Sequence, residues 1–587
     1  MTIKIFLQKW NQHGFIVLLF IFLYIQAGAQ DFLKADGKKI INGNGENILL
    51  RGMGFGGWMV QEGYMLGVNR DAQQHKIRQK IEQIIGSEKT NAFYQAWLNN
   101  FIRKIDIDSM KAWGFNSIRL PMHYNLYTLP VDREPAAGQN TWLETGFAIT
   151  DSLLSWCKAN KMYLILDLHA APGGQGSDLN ISDRDSSKPS LWQSEADQQK
   201  TIALWKKLAQ RYKNEEWIGG YDILNEPNWG FTDHANDKNG LKELLNAPLK
   251  KLMQDITAAI REEDKNHIII IEGNGWGNNY NGILPTWDHN MVLSFHKYWN
   301  YNRKEDIQKI LDVRDTYNVP VWLGETGENS NVWYTEAIRL LEENNIGWAM
   351  WPLKKMGNNN PLQIRSNPEY EKVKNYLNGK EGKPNANTCY EGIMKLADDA
   401  KLENNIFHKD VIDALFRQPF SSAAIPYNAS LLTNNLLIQA VDYDLGRNGA
   451  AYYDKDTANY WVSGVRSAGN RGGVYRNDGV DIYKNSLTSD AYYVGHIEDG
   501  EWLQYTISVS KKGDYNFVIT ITPGDTDGKF SVVINNDMAK DAVVKGDKNK
   551  ALRTETLKNI SLNAGINKIK ILAIRGGFNL YSLKITR

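Results

Sequence analysis

Between residues 48 and 353 the chain repeats one phrase: a short apolar, β-branched run, a polar or glycine-rich turn, then a stretch of helical periodicity. The runs are ILLRGMGF (48–55), FNSIRLPM (115–122), MYLILDLH (162–169), IGGYDILN (218–225), HIIIIEGN (267–274), MVLSFHKY (291–298), VPVWLGET (319–326) and IGWAMWPL (346–353). Helical patterns such as QKTIALWKKLAQRYK and NAPLKKLMQDITAAIREED lie between them. Eight strands alternating with helices predict an α/β fold, a (β/α)8 TIM barrel; the span exceeds the usual ~250 residues, so some loops must be enlarged. The clearest excess is residues 58–110, with helical periodicity of its own around His75–Ile85 and Thr90–Ile105.

Strand parity adds to this. Strands covered on both faces should be almost wholly apolar. Here Ser117 and Arg119, Asp167 and His169, Ser294, His296 and Tyr298, and Glu325 intrude at alternate positions toward the strand ends. Alternation puts each polar set on one face, taken as the lumen. The C-terminal ends of barrel strands are where such enzymes build their sites.

From about residue 432 the pattern changes to short alternating strands with Gly, Asn and Asp turns: GEWLQYTISV, GDYNFVITIT, KFSVVIN and NKIKILAI. That predicts an all-β, jelly-roll-like sandwich. The expected division is a leader over 1–29, the barrel over 30–375, a helical connecting segment packed on the barrel over 376–431, and the sandwich over 432–587. Helices are expected near Glu391–Lys401 and Lys409–Phe416. No Pro/Ser-rich or charged linker precedes the sandwich, so it should dock rather than swing on a tether.

The leader has Lys4 and Lys9 before an apolar run from Phe15 to Ile25, then Ala27-Gly28-Ala29. That order fits an export signal cleaved before Gln30, and the run is shorter than the roughly 20 residues that span a bilayer. Secretion to the extracellular space or periplasm is expected, with no membrane span after cleavage and a monomeric product. A retained N-terminal anchor is the rival reading. A net charge of +1 gives no reason to expect nucleic acid as a partner. Cys157 and Cys389 are the two cysteines. They form no framework and are expected as buried thiols, with a bridge possible in an oxidising compartment.

Two carboxylates carry the candidate chemistry. Glu226 ends the apolar run in YDILNEPN and Glu325 the one in PVWLGETG; the interval between them has room for three strand–helix units, which would set them across one barrel mouth. Glycosidic cleavage needs one protonated and one ionised carboxyl, held in environments that separate their pKa values. Arg119, on reaching Glu325, would keep it ionised. Asn225, just before Glu226, could donate to a sugar 2-hydroxyl, and His169, His296 and Tyr298 would ring the site. Asp167 reads as orienting a His or Arg, and Glu272 as a structural cap on the loop GNGWG. Trp351 is the favoured sugar platform among 19 tryptophans, with Trp229 and Trp276 next. Clustered metal-ligand spacing, HExxH and phosphate-loop motifs do not occur in the sequence, so neither metal nor cofactor is expected.

GFNSIRLPM, LILDLHAAPGG, YDILNEPN, SFHKYWN, WLGETGE and WAMWPL, in this order, resemble the signature of glycoside hydrolase family 5 over about residues 31–375. The resemblance implies a retaining β-glycosidase with Glu226 as acid/base and Glu325 as nucleophile. It also implies an active-site ring of Arg119, His169, Asn225, His296, Tyr298 and Trp351. LRGMGFGGWMVQEGYM is similar to the start of β-glucan-cleaving branches, including exo-acting β-1,3-glucanases. A β-glucan or its oligosaccharides is therefore the expected substrate. A β-mannanase or another β-glycosidase of the family is the alternative, and a non-catalytic glycan-binding protein is the rival of another class.

IQAVDYDLG, VYRNDGVDIY, YYVGHIEDGEWLQYTISV and RGGFNLYSLKI resemble carbohydrate-binding module family 6. The resemblance implies sugar contacts at Tyr475 and Asn579. A second stacking aromatic is missing from ALRTETLKN, and the residues that hold a structural calcium in the family are replaced by Gln439, Val441 and Tyr581. A sugar-binding module and one kept for docking both stay open, as does a structural calcium in this module.

Overall fold

The computed structural model describes residues 31–462, 465–485 and 492–587; the leader expected over 1–29 lies outside them. Eight parallel strands close into a barrel in chain order: β1 (Arg51–Gly54), β2 (Ser117–His123), β3 (Tyr163–Ala170), β4 (Ile218–Asp222), β5 (Ile269–Glu272), β6 (Met291–Lys297), β7 (Val321–Gly327) and β8 (Gly347–Trp351), with β8 pairing β1. Each expected run overlaps one strand, and β2, β3 and β7 continue one residue beyond it. β4 ends at Asp222, although Ile223 and Asn225 still donate to the carbonyls of Ile270 and Leu168, and the chain then turns at Glu226, whose φ of 42° no strand accommodates.

The enlarged 58–110 segment folds as α1 (Gln74–Phe101) and α2 (Lys104–Trp113). Gly86, at φ 80°, breaks α1 where the sequence pattern itself changes phase. The second helical stretch ends at Phe101 rather than Ile105, because Ile102 and Arg103 are extended and Arg103 caps a new helix. Apolar residues of α1 (Ile77, Ile81, Phe93 and Trp97) join the barrel core, so the insertion is part of the scaffold.

Most of the tryptophan excess is structural. Trp97, Trp205, Trp322, Trp333 and Trp348 are fully buried. Trp97 and Trp205 hand their indole N–H to the carbonyls of Gly57 and Ile223, as buried indoles generally require. Cys157 and Cys389 are buried free thiols. Burial pushes both up, Cys389 to about 11, so neither is a ready nucleophile.

Two sheets, antiparallel except where Leu431–Leu432 runs parallel to Ser508–Val509, form the C-terminal sandwich. One orders Leu431–Leu432, Trp502–Val509, Gly565–Arg575, Gly528–Ile534 and Asp537–Val544. The other orders Ile482–Lys484, Tyr492–Val494, Phe578–Thr586, Gly513–Pro523 and Arg553–Leu562. A separate core fills the space between them, with Phe517, Ile519, Phe530 and Ile585 fully buried.

The sandwich is docked through a buried polar joint. Asn329, in the loop after β7, exchanges hydrogen bonds with the backbone of Asn459 and accepts from the side chain of Asn477 through its own carbonyl. Asn331 donates its backbone N–H to the Asn477 carbonyl at 2.8 Å and its amide to Asp410 and Asp478. The density of these buried hydrogen bonds makes the joint specific in register. Among the described residues no helix is long and apolar enough to cross a membrane.

Candidate active site

Arg119, wholly buried on β2, organises the barrel mouth. Its Nε donates to Asp222 at 2.9 Å, Nη1 to Glu325 at 2.5 Å, and Nη2 to Asn225 at 2.7 Å and Glu272 at 3.0 Å. Asp167 lies 3.2 Å from Nη1. Burial opposes the guanidinium charge, but the surrounding carboxylates outweigh it and hold Arg119 well above its ordinary pKa. The planar fork lets one cation meet groups from four strand ends, which a lysine could not do.

Glu325 ends up between that fork and the hydroxyl of Tyr298, which donates to its other oxygen at 3.1 Å. Both are hydrogen bonds that a carboxylate oxygen accepts, and they fix its orientation toward the cleft. Glu226 is placed differently. Burial pushes its carboxyl pKa up, and the neighbouring His296, 2.6 Å from Oε1, offsets only part of this. Although an imidazole touches Glu226, desolvation is what favours its protonated form.

The backbone at Glu226 is held in the left-handed region at φ 42°. Its N–H donates to Glu272 at 2.7 Å and its carbonyl accepts from Asn228 at 2.8 Å. Such a conformation costs about 1–3 kcal/mol in a non-glycine residue and persists only where neighbours over-determine it. Glu272 therefore does more than cap a loop. It clamps Glu226, meets Arg119, and lies 3.2 Å from His296 Nε2. Burial works against its charge, but His296 and Arg119 bring it below the usual carboxylate range.

One wall of the site is aromatic. Trp351 stacks parallel on His169, ring centres 5.2 Å apart and planes 10° apart, and its Nε1 donates to Tyr64 at 2.9 Å. A Cβ on Gly54 or Gly56 would lie 2.6 or 2.4 Å from the indole, so these two glycines of RGMGFGG make room for it. Asp167 holds His169 Nδ1 at 2.8 Å, and although burial opposes the imidazolium, Asp167 raises its pKa to about 10. Glu62, also facing His169, is pushed by burial to about 7.

These groups open onto a cleft of about 690 Å³ whose lining includes Glu62, Tyr64, Trp276, Trp299, Glu328 and Trp351 beside both glutamates. The structure thus brings Glu226, Glu325, Arg119, His169, Asn225, His296, Tyr298 and Trp351 to one place. Trp276 and Trp299 join them at the cleft, whereas Trp58 and Trp333 are core and Trp229 packs against His234. Oxygens of Glu226 and Glu325 and a nitrogen of His296 all lie within 4.8 Å of one another.

Asp222, Glu62 and Tyr64 belong to the site without having been read from the sequence. Asp222 carried a signal, since it shares strand parity with Glu226 in YDILNEPN. Tyr475 packs between Tyr427 and Tyr492, ring centres 6.0 and 4.8 Å away, and its hydroxyl bonds Asp442. Asn579 donates to Thr522 at 2.9 Å. Tyr475 is followed by Arg476, Asn477 and Asp478, whose backbone or side chains bond Asn358, Asn331 and Asp410 of the barrel side, so that loop serves the joint.

Residues 71–357 match the family described as Cellulase (glycosyl hydrolase family 5), and residues 474–587 match Carbohydrate binding module (family 6). A β-xylosidase of Phanerodontia chrysosporium is 26% identical over 376 residues, covering 58% of this chain and 74% of that protein. Endoglucanase C of Acetivibrio thermocellus is 24% identical over 326 residues, covering 45% of this chain and 87% of its own length. The crystal structure of a β-glucanase from Saccharophagus degradans aligns over 55% of this chain and 85% of that one, at 18% identity and a TM-score of 0.37.

Proposed function

Since the barrel of this chain belongs to glycosyl hydrolase family 5, and is that of an O-glycoside hydrolase, we propose that it is a retaining β-glycosidase that cleaves a β-glucan or its oligosaccharides. The observation that carries this reading is the spacing of the two carboxylates. Oxygens of Glu226 and Glu325 lie within 4.8 Å of each other. Retaining enzymes hold their carboxyl groups about 5–5.5 Å apart, whereas inverting ones leave about 6.5–9.5 Å for a water.

In the first step the Glu325 carboxylate attacks the anomeric carbon while Glu226 passes its proton to the departing glycosidic oxygen. A C–O bond to the enzyme forms as the glycosidic C–O bond breaks. Glu226, now ionised, takes a proton from water, which attacks the same carbon and releases Glu325. Arg119 and Tyr298 hold the Glu325 carboxylate in place for attack. Asn225 accepts from Arg119 through Oδ1 and has its amide nitrogen 3.5 Å from His169 Nε2, which leaves one N–H for a sugar 2-hydroxyl. Trp351 offers the flat apolar surface for the ring that reacts. Both catalytic carboxylates are already engaged by cationic side chains, so this mechanism calls for no metal or cofactor.

A β-glucan is favoured because an endoglucanase is among the relatives. The name of the β-xylosidase keeps xylan in the test, and mannan stays as the notable rival within the family. A glycan-binding protein without catalysis does not explain a guanidinium committed to Glu325 and a strained backbone under Glu226. The segment before β2 supplies Glu62 and Tyr64 to one wall, which favours attack near a chain end. The expected setting is outside the cell or in the periplasm, as a monomer.

Digestion of β-1,3-, β-1,4- and β-1,6-glucans, mannan and xylan, with products sized at early times, tests this reading. Short sugars from a glucan at the outset are expected. Cleavage confined to mannan or xylan would overturn the substrate, and a random ladder of oligomers would overturn chain-end attack.

A further inference from the structure

A row of aromatic rings leads out of the cleft and ends on the sandwich. Tyr298, bonded to Glu325, packs against Trp299 with ring centres 5.3 Å apart. Trp299 in turn stacks on Trp461, centres 4.9 Å apart and planes 29° apart. Trp461 lies in the sandwich hairpin strand Tyr460–Val462, and Tyr460 packs beside it on Tyr301 of the barrel at 4.7 Å. The backbone joins the two domains here as well, since Trp461 N donates to the carbonyl of Trp299 at 2.8 Å. Trp299 sits in the left-handed region at φ 51°, a conformation that a bulky residue holds only when its surroundings enforce it.

Docking does not account for Trp461. The joint is already made by Asn329, Asn331, Asn477 and Asp410, all buried. A tryptophan recruited for docking would bury its ring, yet Trp461 is 59% exposed, which forgoes much of what its indole gains from burial. An exposed indole continuous with a cleft-lining indole is the arrangement that sugar-ring stacking asks for.

We propose that Trp461 is a substrate-binding residue: the sandwich completes the active-site cleft by supplying, with Trp299, an outlying platform for a pyranose ring of the bound β-linked chain. The module then acts within the catalytic cleft rather than as a separate anchor on the polymer. This rests on the glycoside-hydrolase reading above, and it concerns a sugar unit remote from the scissile bond. Its energetic effect must therefore grow with substrate length and vanish for substrates too short to reach the hairpin.

The test compares wild type, Trp461→Ala and Trp461→Phe as full-length proteins. Each is assayed on an aryl β-glycoside of a single sugar and on the longest soluble oligosaccharide of the series that wild type cleaves. For Trp461→Ala the expected result is a drop in kcat/KM of about tenfold on the long substrate, with the aryl glycoside and the melting temperature unchanged. Trp461→Phe should keep most of the long-substrate activity, because a ring remains to stack. An equal loss on both substrates would overturn the proposal and make Trp461 a support for Trp299. Unchanged kinetics on both would overturn it too. If wild type cleaves no member of the panel, the functional reading itself falls and takes this inference with it.

Discussion

Replacing Glu325 by Ala should reduce hydrolysis by at least about 10⁴-fold while leaving the fold intact. The residue sits at the end of β7 in a pocket open to the cleft, so a smaller side chain leaves a space that water can fill. The loss arises because no other carboxylate can take its place. Asp167, Asp222 and Glu272 face Arg119 deeper in the lumen and are fully buried, and Glu226 lies on the side of the proton transfer. A small anion such as azide, added to the variant, should enter the vacated space and restore turnover of an activated aryl glycoside. That product would carry inverted configuration, since a single displacement replaces the double one. Retained turnover without added anion would remove Glu325 from the role of nucleophile.

The second large effect is structural and catalytic together. Arg119→Leu removes the cation that meets Asp167, Asp222, Glu272 and Glu325 together, whereas His169 and His296 each reach only some of them. Breaking a buried ion network by deleting one partner costs about 3–5 kcal/mol, because the charges left behind are uncompensated. The expected outcome is a large fall in the unfolding midpoint and loss of activity. The pH dependence has a definite sign. Burial already holds Asp167 and Asp222 above the usual carboxylate range, and without Arg119 they rise further, so the variant loses stability as pH rises and recovers part of it as pH falls toward the carboxylate range. Arg119→Lys should restore little, since an ammonium cannot meet Asp222, Asn225 and Glu325 at once. A Leu variant as stable as wild type at neutral pH would show that the carboxylates are neutral already.

Strand positions and the identity of the two glutamates were legible because both depend on local pattern: alternation within a run, and polar residues at its end. Arg119 and Glu325 stood out for the same reason. Glu272 was legible as a residue but not in its role, because the hydrogen bond it accepts comes from Glu226, a contact between different strand ends. Glu62 and Tyr64 lie in a loop with no strand register, so only the folded insertion reveals that they face the cleft. In the sandwich, Asp537–Val544 and Arg553–Leu562 were missed as strands. Both are edge strands, and their exposed, charged sequences blur the alternation on which the reading depends. Trp461 illustrates the same limit between domains. Nothing near it in the sequence indicates that it meets a barrel residue 162 positions earlier, Trp299.

The central claim is that two closely spaced carboxylates act in a double displacement, and the configuration of the first product tests it most directly. Proton NMR of a digest, started with concentrated enzyme and recorded before mutarotation, resolves the anomeric signal of the newly released reducing end. The account predicts that the β-anomer appears first and the α-anomer grows in later. An α-anomer at the outset would mean a single displacement by water, and would contradict Glu325 as nucleophile.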